Sequence, residues 1–281
     1  MNLTEAICFD DILLEPQQSK INSRKDINLT MSAGGLTLDL PIIAAPMDTV
    51  CGDKMALTIA NFGGLGVIHR HQKISDQLVM IKKVKSNWRP VFGSIGINDD
   101  YLADAKKLIN AGADGICIDV ANGHNYRTIE AVKNIKSECN THIMVGNVST
   151  AEGFLELAEA GANSIRVGIG GGSMCTTRIV TGHGLPTLQS IIDIERERYS
   201  SNIDCAIIAD GGIRTSGDMI KAFAAGADFV MVGSMLSGTT ESPGEIISLH
   251  TQPQNRFPAL KHPLLNGCHN LTKSASPNNI Y

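Results

Sequence analysis

The sequence predicts a (β/α)8 barrel, in which eight parallel strands alternate with helices and close on themselves. One phrase recurs three times, as AGADGICID at 111–119, AGANSIRVG at 160–168 and AGADFVMVG at 225–233. Each copy follows an amphipathic stretch and runs directly into apolar residues, which indicates a helix that ends at glycine, a short turn and a strand. A continuous apolar run is typical of a parallel strand that is covered on both faces.

Eight such strands can be placed along the chain, most of them separated by helical patterns. We predict them at 40–45, 65–69, 91–97, 115–120, 143–148, 164–169, 206–210 and 229–233. Polar, glycine-rich or reactive residues follow each strand, and in a barrel these loops form the rim that carries the active site. A doubly wound open sheet is the alternative architecture for this order of elements.

The composition of the chain excludes several classes of protein. The chain has 281 residues, a formal net charge of -4, 43% hydrophobic residues and 4% aromatic residues. This balance argues against a surface for nucleic acid or for an anionic membrane. The sequence has no apolar run near the ~20 residues that a membrane helix needs and no CxxC among its 7 cysteines. From its first residues we expect no secretory signal. We expect a reduced, cytoplasmic enzyme with one barrel at 1–246 and a separate tail at 247–281.

A glycine-rich segment, GIGGGSMCTTR at 168–178, follows the sixth predicted strand. Its glycines let backbone N–H groups approach an anion closely, and the hydroxyl of Ser173 can donate to a phosphate oxygen. Cys175 then stands on a loop at the rim, where a thiolate can act as a nucleophile. A flexible loop with an incidental thiol is the alternative interpretation of this segment taken alone.

Two more segments follow strands seven and eight, where barrels commonly hold a phosphate. The residues that leave the two strands are Asp210, Gly211, Gly212, Gly233 and Ser234. An aspartate at this point can accept hydrogen bonds from both hydroxyls of a ribose. Together the segments predict a seat for a nucleoside monophosphate, although each one alone also fits an ordinary βα turn.

The chain resembles the IMP dehydrogenase and GMP reductase family in these segments and in others. The matching strings are GIGGGSMCTTR, IADGGIRTSGD, GSMLSGTTESPGE, FDDILLEP, PMDTV and GGLGVIH, and they extend from about residue 7 to residue 245. The resemblance implies a TIM barrel that acts on IMP or GMP with NAD or NADP and assembles as a homo-oligomer, a tetramer in this family. In FDDILLEP we expect Asp10 and Asp11 to cap or pair locally.

The resemblance also implies a role for individual positions. Cys175 would attack C2 of the purine, and Thr177 would help to activate water or ammonia. The implied substrate positions are Asn147, Ser173, Asp210, Gly211, Gly212, Gly233 and Ser234, and the implied cofactor positions are Asp119 and Asn122. Backbone carbonyls of Gly168, Gly170 and Cys175 would hold K⁺ as in the dehydrogenase. Gly171 replaces the family's usual proline in this loop, which predicts a looser potassium site.

Two departures from the family pattern are visible. Only one predicted helix fills 71–90, where many dehydrogenases insert a CBS pair. After a last helix expected to begin near Pro243 and Glu245, residues 247–281 show no counterpart of the family's Gly-Met loop or of the flap that carries its catalytic base. We expect this tail to be poorly ordered, the barrel to be less stable than a full-length relative, and turnover to suffer more than nucleotide binding.

Some of the matching strings resemble the dehydrogenase and others resemble the reductase. GGLGVIH, IADGGIRTSGD and TESPGE resemble the dehydrogenase, whereas INSRKD at 21–26, CIDVANGH at 117–124 and the missing CBS pair resemble the reductase. We prefer an IMP dehydrogenase, which converts IMP to XMP. A GMP reductase that uses NADPH, and a catalytically impaired barrel that still binds a purine nucleotide, are the alternatives.

Overall fold

A computed structural model describes residues 5–98 and 100–244 of the chain. The strands are β1 (Met31–Ala33), β2 (Leu36–Leu38), β3 (Ile42–Ala44), β4 (Leu65–Ile68), β5 (Val91–Ile95), β6 (Gly115–Asp119), β7 (His142–Val148), β8 (Ser164–Val167), β9 (Ala206–Asp210) and β10 (Phe229–Val232). The helices are α1 (Asp53–Asn61), α2 (Ile74–Lys85), α3 (Tyr101–Asn110), α4 (Tyr126–Glu138), α5 (Ala151–Glu159), α6 (Thr177–Thr181), α7 (Thr187–Ser201) and α8 (Ser216–Ala224).

Strands β3 to β10 form a closed parallel barrel, which confirms the predicted fold. Each strand pairs with the next along the chain, and β10 returns to pair with β3, where Met231 lies opposite Ile43. All eight predicted strands overlap the observed ones, and helix α2 alone connects β4 to β5 as predicted. The open-sheet alternative is wrong, because the pairing of β10 with β3 leaves no edge. The expected last helix and the expected disorder of 247–281 lie outside the described residues.

A hairpin that the sequence analysis did not predict closes the N-terminal end of the barrel. Strands β1 and β2 are antiparallel, and Gly34 and Gly35 turn between them with φ values of 56° and 77°. A Cβ on Gly34 would lie 2.0 Å from the carbonyl oxygen of Asn163, so only glycine fits this approach. Leu38 is 4% exposed and packs among the side chains inside the barrel.

The barrel interior is filled with apolar side chains up to the layer below the rim. Alternation along β6 shows this directly: Cys117 points into the interior, whereas Ile116 and Ile118 pack against the helices. The ring of Phe92 occupies the space beside Gly115, where a Cβ would lie 2.5 Å from Cζ of that ring. The interior is therefore a packed core, and open space is found at the C-terminal rim. None of the helices in the described ranges is long and apolar enough to cross a membrane.

Candidate active site

The cysteine loop, residues 168–178, is tied to the end of β9 by close backbone contacts. Gly168 has a φ of 139°, and a Cβ there would lie 2.0 Å from the carbonyl oxygen of Asp210. Gly171 is also crowded, since its Cβ would lie 2.6 Å from Oγ1 of Thr187. The glycines thus let the loop lie against the neighbouring loop, and this places Cys175 over the rim.

The thiol of Cys175 is half-buried and lies in a polar environment. Its Sγ is 3.2 Å from Oγ1 of Thr177, the first residue of α6. Burial raises the pKa of this thiol, but hydrogen bonds from Thr177 and from the backbone of Gly170, together with the charge of Arg178, outweigh burial and lower the pKa. In contrast, burial raises the pKa of the Cys117 thiol to about 12. Cys175 therefore has the properties of a reactive cysteine.

Two cavities at the rim meet at Cys175. The Asp119 cavity, of about 270 Å³, is lined by Arg70, Asp119, Val120, Ala121, Asn147, Gly168, Ile169, Gly170, Cys175 and Thr177. The Gly212 cavity, of about 260 Å³, is lined by Ala45, Met47, Gly172, Ser173, Met174, Cys175, Asp210, Gly211, Gly212, Ile213, Met231, Gly233 and Ser234. A reactive thiol shared by two cavities can contact a ligand in one while a second ligand lies in the other.

A buried arginine on β8 bridges the two cavities. The side chain of Arg166 is 8% exposed, and its Nη1 donates to Oδ1 of Asp119 at 2.6 Å. Its Nε and Nη2 contact Oδ2 of Asp210 at 3.0 Å and 2.9 Å. Nδ2 of Asn147 donates to the same Asp210 oxygen at 2.9 Å, and Nε of Arg70 donates to the Asp119 carbonyl at 3.0 Å. Burial raises the pKa of the Asp119 carboxyl, but the charge and hydrogen bond of Arg166, together with the charges of Arg70 and His71, outweigh burial and lower the pKa, which keeps this carboxylate ionised at neutral pH.

The structure brings together nearly all the predicted site residues. Those implied for the cofactor and the nucleophile line the Asp119 cavity, and those implied for the phosphate and ribose line the Gly212 cavity. Asn122 is the exception: it is exposed, does not line either cavity, and accepts a hydrogen bond from the backbone N–H of His124 at 3.2 Å. Its cofactor role stays a prediction, as does the potassium site, where the carbonyl of Gly168 accepts from Asn147 Nδ2 at 2.8 Å.

Arg166 and Arg70 were not among the site residues predicted from the sequence. The signal for Arg166 is a charged residue inside the otherwise apolar run SIRVGI, because a buried charge requires partners. Arg70 follows β4 in the segment HRHQ, where a single basic residue after a strand gives no specific signal.

The FDDILLEP motif lies behind the loop that leaves β9. The ring of Phe9 is 5% exposed and would lie 3.8 Å from a Cβ on Gly212, and the Phe9 carbonyl accepts from Lys221 Nζ at 2.7 Å. Asp11 caps locally, as predicted, by accepting from the N–H of Cys8 at 2.6 Å. Asp10 does not pair locally: it forms an ion pair with Arg214, 204 positions later.

Comparison with known proteins shows the family. A family model described as the IMP dehydrogenase / GMP reductase domain matches residues 6–257. The chain belongs to this family. Members of the IMP dehydrogenase / GMP reductase family are oxidoreductases, and the resemblance noted in the sequence is thereby confirmed.

Individual relatives carry both names. The inosine-5'-monophosphate dehydrogenase of Cryptosporidium parvum is 38% identical over 288 residues, which cover 87% of this chain and 71% of the relative. That of Borreliella burgdorferi is 35% identical, with 86% and 72% covered. The GMP reductase of Vibrio atlanticus is 37% identical, with 89% and 74% covered. Similarity to the two kinds of relative is thus nearly equal.

Proposed function

We propose that this member of the family is an NAD(P)-dependent oxidoreductase that acts at C2 of a purine nucleoside monophosphate, and specifically an IMP dehydrogenase that converts IMP to XMP. The observation that carries the proposal is the position of Cys175, which lines both cavities at the rim. Its lowered pKa supports attack by the thiolate on an electron-poor ring carbon.

The Gly212 cavity suits the nucleoside monophosphate. The backbone N–H groups of Gly212 and Gly233, with the hydroxyls of Ser173 and Ser234, can donate to a phosphate between the ends of β9 and β10. The carboxylate of Asp210 lines the same cavity and can accept from ribose hydroxyls. Bound in this way, the nucleotide would present its base toward Cys175.

The Asp119 cavity suits the nicotinamide end of the dinucleotide. Asp119 is an ionised hydrogen-bond acceptor for a ribose there, and Asn147 and Thr177 line the space beside the thiol. When bound, the nicotinamide supplies a hydride acceptor. Our proposal adds potassium at the carbonyls of Gly168, Gly170 and Cys175, and a homotetramer, both from family membership.

The chemistry then divides into two steps on Cys175. In the first, Sγ bonds to C2 of IMP as the C2–H bond breaks, and a nicotinamide held in the Asp119 cavity would supply the acceptor for the departing hydride. In the second, water adds to C2 and loses a proton to solvent, the S–C2 bond breaks, and the thiolate is regenerated with release of XMP. The Thr177 hydroxyl, 3.2 Å from Sγ, is within reach of the attacking water and can orient it.

A GMP reductase is the second candidate. It is favoured by the short connection between β4 and β5, which contains only α2, and by the 37% identity to a GMP reductase. In that case hydride would be delivered to C2 of the adduct after ammonia has left. A catalytically impaired barrel that still binds a purine nucleotide is the third candidate.

Turnover and trapping on one preparation test the proposal. We expect the nicotinamide absorbance to change when the protein is incubated with IMP and NAD⁺. We also expect a purine nucleoside monophosphate with an electrophilic C2 substituent to modify the protein covalently, which increases the protein mass by one adduct. Cys175→Ala should abolish the adduct and leave reversible nucleotide binding intact. The control Cys139→Ala should form the adduct to the same extent as the parent protein. Turnover with GMP and NADPH alone would select the reductase, binding without turnover would select the impaired barrel, and full trapping in Cys175→Ala would refute the nucleophile.

A further inference from the structure

Arg166 occupies a position where an unpaired charge could not be tolerated. It lies on β8 with a side chain 8% exposed, above a barrel interior of apolar residues. Burying a guanidinium is unfavourable unless carboxylates neutralise it and satisfy its donors. Asp119 at the end of β6 and Asp210 at the end of β9 do so, and each of them lines a different cavity.

We propose that Arg166 is a positioning residue that couples the two cavities, so that a nucleotide in one raises the affinity for the nucleotide in the other. This inference rests on the proposed function, which assigns a nucleoside monophosphate to the Gly212 cavity and a nicotinamide dinucleotide to the Asp119 cavity. Arg166 touches neither ligand in this scheme. It acts through the two carboxylates that do.

The geometry of the carboxylates explains the coupling. Asp210 uses Oδ2 for its bonds to Arg166 and Asn147, which leaves Oδ1 oriented by the network but engaged by neither side chain. Asp119 is held in a similar way, through Oδ1 by Arg166 and more distantly by Arg70, whose Nε is 3.4 Å from Oδ2. A guanidinium is a rigid planar fork, so a ligand that fixes one carboxylate restricts the fork and with it the other carboxylate. The second ligand then binds with less loss of side-chain freedom.

A second arginine in the chain provides a matched control. Arg198 on α7 also bridges two carboxylates, those of Asp228 and Glu195, and its side chain is 17% exposed. It donates to the carbonyl of Cys205 just before β9, at the N-terminal end of the barrel and away from the rim. Its removal disrupts a comparable ion-pair network without touching either cavity.

The test measures equilibrium binding in a Cys175→Ala background, where no turnover occurs. The affinity for IMP is measured with and without saturating NAD⁺, and the affinity for GMP with and without NADPH. We expect the favoured pair to show coupling of about fivefold or more, the lower end of ordinary coupling between sites. Arg166→Met should reduce this ratio toward one while single-ligand binding remains measurable, and Arg198→Met should leave the ratio unchanged.

Arg166→Lys keeps the test decisive if Arg166→Met does not fold. A lysine retains the charge but lacks the fork that reaches both carboxylates, so coupling should fall while the melting temperature drops less. Unchanged coupling in the folded Arg166 variants would overturn the inference and leave the proposed function standing, as would binding of both ligands to the parent without coupling. A parent protein that binds no purine nucleoside monophosphate would overturn both.

Discussion

At the scale of single residues, the most informative feature is the contrast among the cysteines. Cys175 has a lowered pKa because hydrogen bonds from Thr177 and Gly170 outweigh its partial burial. Burial raises the pKa of Cys51 and of Cys117 to about 12, because no comparable set of donors offsets the loss of hydration. One residue type thus lies in the core at Cys51 and Cys117 and is our proposed nucleophile at Cys175, according to what surrounds the sulfur.

Thr177 should control the reactivity of that sulfur. In Thr177→Val the hydrogen bond to Sγ is lost at nearly constant volume, and we expect alkylation of Cys175 by a neutral reagent at neutral pH to slow roughly tenfold, since a hydrogen bond to a charged group contributes about 1.5 kcal/mol. The pH midpoint of the alkylation rate should move upward. Thr181→Val, in the same helix but bonded to the Thr177 carbonyl, should leave the profile unchanged. An unshifted midpoint in Thr177→Val would contradict this account of the thiol.

At the scale of elements, β7 carries a polar residue of a different kind near each of its ends. β7 begins at His142, which is packed at the N-terminal end of the barrel, and ends near Asn147 at the rim. Nε2 of His142 is 2.8 Å from Oγ of Ser164, and its ring lies 5.1 Å from the ring of Phe92. Burial, and secondarily the charge of Lys136, lowers the pKa of His142 to about 4.

This histidine predicts a loss of stability in mild acid. Because the folded-state pKa of His142 lies below its unfolded value of 6.5, the unfolded chain takes up the proton first. Stability is therefore lost as the pH falls from 6.5 to about 4, by up to roughly 3 kcal/mol. Urea unfolding of His142→Gln across this range should show a smaller pH dependence than the parent, whereas the exposed His183→Gln should behave as the parent does. Parallel pH profiles for all three proteins would refute the assignment.

At the scale of the whole molecule, stability and chemistry are located at opposite ends of the barrel. The interior below the rim is filled by apolar side chains and sealed by the β1–β2 hairpin, whereas both cavities open among the loops at the other end. Substitutions in the interior should therefore affect folding without altering the rim in molecules that remain folded.

Phe92→Ala tests this separation. Phe92 is 2% exposed and fills the space beside Gly115, so its truncation should lower the free energy of unfolding by about 3–5 kcal/mol. The dissociation constant for the nucleoside monophosphate, measured well below the melting temperature, should change little. Phe62→Ala, at a side chain that is 72% exposed, should alter neither quantity. A large loss of affinity in folded Phe92→Ala would show that the two ends are coupled.

Much of the fold could be predicted from the sequence because its signals are local. The apolar runs, the glycine that ends each helix and the polar loop after each strand lie within a few residues of one another. These signals placed all eight barrel strands and, through the cysteine loop and the loops after β9 and β10, most of the residues that line the cavities. The hairpin at 31–38 was not predicted, because strands of three residues are too short to show an alternation of apolar and polar residues.

By itself the sequence determined the barrel, its reactive rim and the family, whereas the tertiary structure decided which charges meet there. Arg166 finds Asp119 and Asp210 at separations of 47 and 44 positions, and Asp10 finds Arg214 across nearly the whole chain. No local pattern specifies such pairs. Closing the barrel brings the ends of β6, β8 and β9 to one rim, where the buried Arg166 is stable only beside the opposite charges of Asp119 and Asp210. The exposed pair of Asp10 and Arg214 forms because the N-terminal segment packs behind the loop that leaves β9.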